Sequence, residues 1–114
     1  MSIENISVSM IRPTLEDLPT FAPPTGYHLR WYQPGDEEAW VAIHVAADPY
    51  HQFSRAVFAK EFSTDQTLLA KRQAYLCPID EDGREGAPVG TAAAWFGVEE
   101  ARRSEGLIHW VAIH

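Results

Sequence analysis

Large and polar residues alternate from Tyr27 to Tyr32 (YHLRWY), between Gly26 and Pro34, and this period of two predicts a strand. Pro34-Gly35-Asp36 then predicts a turn, with Asp36 as a helix N-cap and Glu37 and Glu38 placing negative charge in the first helical turn. From Glu37 to Ala47, Trp40, Ile43 and Ala47 recur at spacings of three and four, which gives a helix with one buried face. Asp48-Pro49 ends it, because the residue before a proline avoids helical backbone. A second helix is predicted from Phe53 to Phe62, with Phe53, Val57, Phe58 and Phe62 on or near one stripe. Ser63 or Thr64 would cap a short third helix through Leu68, Leu69 and Ala70.

The pattern then changes period. Gln73 to Ile79 (QAYLCPI) and Pro88 to Phe96 (PVGTAAAWF) read as the two strands of a hairpin around the polar turn at residues 80–86. Gly97 to Glu105 is a polar connection. Gly106 to His114 (GLIHWVAIH) is the last strand, with Leu107, Val111 and Ile113 on one face and Ile108, Trp110 and Ala112 on the other. His109 points with Val111 and Ile113. Both faces are apolar, which predicts a central strand covered on two sides. Upstream, Pro13, Pro19, Pro23, Pro24 and Gly26 break any long element, so residues 1–26 form an arm. Leu15, Leu18 and Phe21 would pack it onto a domain spanning residues 27–114. The expected fold is α+β: a mostly antiparallel sheet of about four strands with two to three helices.

Composition narrows the function classes. Apolar residues make up 46% and charged residues 22%, which suits a folded domain and not a disordered chain. A formal net charge of -7 argues against uniform attraction to nucleic acid or to an anionic membrane. No apolar run approaches the roughly 18 residues of a membrane span. Met1 to Arg12 lacks the basic and apolar regions of a signal peptide, and a single cysteine forms no intrachain disulfide, which fits the cytoplasm. That cysteine, Cys77, precedes Pro78 and has no activating base nearby in sequence, so it reads as a small packed residue. The histidines at 28, 44, 51, 109 and 114 show no recognised metal spacing, and no zinc site is predicted.

Three segments in order carry a resemblance. YHLRWYQPGDEEAW resembles the opening strand, turn and acidic helix start of the GNAT (GCN5-related) N-acetyltransferase family. YLCPIDEDGREGAPVGTAAAWF looks like that family's second and third strands, and GLIHWVAIH like its fourth. The resemblance covers Tyr27 to His114 and implies the N-terminal half of the acyl-CoA N-acyltransferase fold. In the family the fourth strand runs into a glycine-rich loop that holds the CoA pyrophosphate through backbone N–H groups and a helix N-terminus. The glycines at 83, 86, 90, 97 and 106 form no such pattern. The expectation is therefore a half-domain that ends before its cofactor grip, is inactive alone and binds acetyl-CoA weakly.

The resemblance also implies site residues. Main-chain groups of Val111, Ala112 and Ile113 would bind the acyl-pantetheine arm. Tyr27, Trp31, Trp95 and Trp110 would line the cleft for a small-molecule or peptide amine, or simply pack the core. Tyr50 lies in the loop after the first helix, which in the family often touches the acceptor. His109 has the ordinary pKa of a general base and is the candidate for that role, the alternative being a hydrogen-bonded strand histidine. A last strand left as an apolar edge invites pairing. It would make a homodimer or bind a separate C-terminal half, and the chain would then be a non-catalytic interaction module.

Overall fold

The computed structural model describes residues 3–97 and 104–114. Its elements are β1 (Tyr27–Trp31), α1 (Asp36–Ala47), α2 (Arg55–Phe62), α3 (Gln66–Arg72), β2 (Gln73–Pro78), β3 (Gly90–Phe96) and β4 (Gly106–Ile113). The strands form one antiparallel sheet in the order β1-β2-β3-β4, so the fold is α+β, with β1 and β4 as the sheet edges. Among the described residues no helix is long and apolar enough to cross a membrane.

The helices cover one face of the sheet. Trp40 and Ile43 of α1, Phe58 and Phe62 of α2 and Leu69 of α3 meet Tyr75 and Cys77 of β2, Ala93 of β3 and Ala112 of β4 in a single buried core. Alternation decides which strand residues enter it. In β2, Gln73, Tyr75 and Cys77 are buried, while Ala74, Leu76 and Pro78 lie on the other face.

Helix starts differ from the sequence reading in instructive ways. Gly35, with φ 100°, occupies the N-cap of α1, and no side chain caps it. The Asp36 carboxylate instead accepts from Gln33 N–H at 2.7 Å and from the Arg30 guanidinium. Helix α2 starts at Arg55, after Ser54, whose Oγ accepts from Val57 N–H. Helix α3 is capped by Asp65, whose Oδ1 accepts from Thr67 and Leu68 N–H; Ser63 terminates α2 with φ 69°.

Two packing expectations are overturned. The arm does not dock: residues 3–26 hold no helix or strand, and Leu15, Leu18 and Phe21 are exposed. The last strand is not central. Thr91 pairs with Ala112 but Ala93 pairs with His109, so Ala92 faces both Trp110 and Val111 in a β-bulge. Trp110 adopts left-handed backbone, φ 51°. The extra residue shifts the alternation by one. His109 lies on the helix-covered side with Ala112, away from Val111 and Ile113, which stay exposed. The second face of β4 is apolar as expected, but among the described residues nothing covers it. The connection between β3 and β4 falls largely on residues 98–103, outside the described residues.

Candidate functional site

The bulge brings β4 against the helices through a set of rings. Trp40 of α1 is in contact with His44 (centroids 4.4 Å apart), Phe53, Phe58, Phe62 and Trp110. Trp110 also meets His44, Phe53 and His109. Phe62 continues the row to Trp95 and His109. Edge-to-face geometry dominates, which aims ring edges at neighbouring π-faces. Trp40 Nε1, His44 Nε2 and Trp110 Nε1 are buried within this set with no hydrogen-bond partner among the described residues.

Two histidines here are held neutral more firmly than usual. Burial lowers the pKa of His44, while the Trp110 backbone and Asp48 pull it upward and are outweighed. Burial likewise lowers His109, against the opposing pull of Glu61. His109 Nε2 lies 3.9 Å from Glu61 Oε2, beyond hydrogen-bond length and a charge pair only when the imidazole is protonated. A neutral imidazole beside a carboxylate can accept a proton and have the resulting cation stabilised.

The residues singled out in the sequence fall into two groups. Trp95, Trp110 and His109 share the helix-covered side. Tyr27 and Trp31 of β1 sit on the opposite face with Leu29, so they do not join that cluster. Tyr50 is 89% exposed in the loop after α1, beside the Asp48–His51 pair. Ala112 is buried, whereas the side chains of Val111 and Ile113 are on the uncovered face. The main chain of β4 ends with His114 N–H donating to Val89 O at 2.7 Å. Antiparallel pairs alternate between bonded and non-bonded, so the Ile113 N–H and C=O point away from β3, toward the open edge.

One cluster was not legible in the sequence. His28 and Cys77 face each other across β1 and β2. The hairpin turn folds Glu85 over them: Ile79 bridges to Glu85, and Asp80 N–H donates to Arg84 O at 2.9 Å. His28 Nε2 lies 2.6 Å from Glu85 Oε1, and Arg30 Nε donates to the same oxygen at 2.9 Å. Burial and the adjacent Glu85 push the Cys77 thiol up to about 11. Burial alone would raise Glu85, but Cys77, His28 and Arg30 together hold it below the usual carboxylate range. His28 is far in sequence from Cys77 and Glu85, so only the strand register reveals the three together.

No protein-family model matches the chain, and no curated protein sequence matches it.

Proposed function

We propose that this chain is the acceptor-side, N-terminal portion of a GNAT-type acetyl-CoA-dependent N-acetyltransferase. The observation that carries the reading is the edge position of β4 beyond its bulge at Trp110, where the Ile113 N–H and C=O point to the open edge. Main-chain groups fixed and directed outward in this way suit a thioester, the N–H facing the carbonyl oxygen that gains charge when an amine attacks. The aromatic set around Trp110 offers an apolar wall for the acceptor beside them. His109 takes the proton released by the amine as the C–N bond forms, and Glu61 steadies the imidazolium. The departing thiolate then needs a proton in return. The chain holds no glycine pattern for the pyrophosphate, so this portion alone binds the cofactor weakly and turns over little or not at all.

The experiment is a two-dimensional amide NMR titration with millimolar acetyl-CoA. The expected result is shifts centred on Val111–Ile113 with low affinity. Absence of any shift in β4, or shifts confined to another part of the sheet, would overturn the reading. Micromolar affinity would overturn the claim of weak binding.

A second reading is favoured by a separate observation. Leu29, Trp31, Ile108, Val111 and Ile113 are all more than half exposed, and the first two share one face of the sheet with the last three. With Tyr27 and Phe96 they present an exposed apolar patch on one face of the sheet, the kind of surface that marks an interaction site. In this reading the chain is a non-catalytic association module, and two copies meet through this face and the free edge of β4.

A further inference from the structure

We propose that His28, Cys77 and Glu85 form a binding site for one divalent cation of the zinc class, with the fourth position open to solvent. One ligand atom from each residue lies within 4.8 Å of the other two. Around zinc, with bonds of 2.0 to 2.3 Å, tetrahedral ligands stand roughly 3.5 Å apart. The required movement is small. His28 and Glu85, already 2.6 Å apart, separate slightly to admit the ion, and Cys77 approaches from beneath.

The frame that holds the three is rigid where it matters. Cys77 is fully buried on β2, opposite His28 on β1, so sulfur and imidazole are set by strand register. Glu85 comes from a turn tied down by main-chain bonds at both sides. The side chains of His28 and Glu85 are 38% and 32% exposed, which leaves an entry path from solvent. Thiolate, imidazole and carboxylate together are the donor set of zinc, whereas calcium and magnesium take oxygen donors.

Arg30 is the obvious objection, since its guanidinium already neutralises Glu85. It has a second and better partner. Arg30 Nη1 and Nη2 grip both oxygens of Asp36, so Glu85 can turn to the ion without stranding the arginine. The competing explanation is an ordinary polar network in which Glu85 joins His28 and Arg30. The proposal does not depend on the acyl-transfer reading, since none of these residues takes part in it.

The test is a Co²⁺ titration of the untagged 114-residue chain followed by absorption. The expected signature is a near-ultraviolet thiolate-to-cobalt band together with the intense visible bands of tetrahedral cobalt, both displaced by one equivalent of Zn²⁺. Cys77→Ser should abolish the near-ultraviolet band. Glu85→Gln, a surface change that leaves the fold intact by circular dichroism, should weaken binding at least about tenfold. His28→Gln should do the same. A titration with no thiolate band overturns the site, as does a band of unchanged strength in both Glu85→Gln and His28→Gln. If Cys77→Ser does not fold, the other two variants decide the matter alone.

Discussion

Arg30 holds Asp36 with both ends of its guanidinium, Nη1 to Oδ2 at 2.6 Å and Nη2 to Oδ1 at 3.0 Å, and so fastens strand β1 to the first residue of helix α1. Both side chains are largely out of solvent, and the arginine also stacks over Tyr75. Asp36→Ala leaves Arg30 with Glu85 as its carboxylate partner, but it removes the fork and the acceptor of the Gln33 N–H. It should therefore destabilise the chain by about 2 kcal/mol. Arg30→Lys should not rescue the geometry, because an ammonium cannot supply the fork. Urea unfolding with an unchanged m-value checks both; a loss under 1 kcal/mol for Asp36→Ala would show the pair to be peripheral.

Trp110 occupies a bulge position that glycine usually takes, with φ 51°. Left-handed backbone costs a non-glycine residue roughly 1–2 kcal/mol. Elsewhere in a strand, glycine is less stable than alanine by about 0.5–1 kcal/mol. Here the order should reverse. Both Trp110→Ala and Trp110→Gly lose the contacts with Trp40, His44 and Phe53, at a cost of about 3 kcal/mol. The glycine variant should nevertheless be the more stable of the two by about 1 kcal/mol, since it alone is relieved of the backbone strain. Thermal unfolding of the pair measures this, and a more stable alanine variant would place Trp110 in ordinary strand backbone.

The strand and helix order was legible because periodicity and proline breaks are local signals. β1, β2 and α1 fall within a residue or two of the sequence reading. What failed was non-local. The bulge opposite Ala92 leaves no mark in GLIHWVAIH, whose simple alternation sets His109 with Val111 and Ile113. A single inserted residue in the register reverses that set. Asp65 as the cap of α3 was within reach, since it stands just before the Gln66–Arg72 run, but Ser63 and Thr64 offered equally good cap chemistry. The His28–Cys77–Glu85 cluster needed the register of β1 against β2 and the path of the hairpin, neither of which a spacing rule contains.

The bulge also changes which substitutions report on association. Ile108 and Val111 lie on the uncovered face, whereas Trp110 packs against the helices. Ile108→Lys and Val111→Lys should therefore leave the melting temperature of the dilute, monomeric chain nearly unchanged, because surface changes rarely exceed about 0.5 kcal/mol. If two copies meet through this face, each should shift the sedimentation profile from dimer to monomer at tens of micromolar chain. A native chain that sediments as a clean monomer at that concentration would remove the association reading. A charge at Trp110 is a poor probe, since it would unfold the ring cluster rather than the interface.

Acid sensitivity should follow from His44 and His109. In an unfolded chain both titrate near the ordinary histidine value of 6.5, while burial holds both lower in the fold. Protons then bind the unfolded state first, so falling pH draws the equilibrium toward unfolding. The sign is definite: stability is at its full value above pH 6.5 and declines as pH falls through the lowered native values. Carboxylates that titrate at lower pH add their own effect, so the window between about pH 7.5 and 5.5 isolates the histidines. His44 dominates because it is only 4% exposed and its ring is enclosed by Trp40, Phe53 and Trp110. Unfolding free energies across that window should slope downward in the native chain. The slope should be clearly shallower in a His44→Asn, His109→Asn double variant, whatever its absolute stability. Imidazole NMR signals for residue 44 that titrate at or above 6.5 would contradict the burial on which the sign depends.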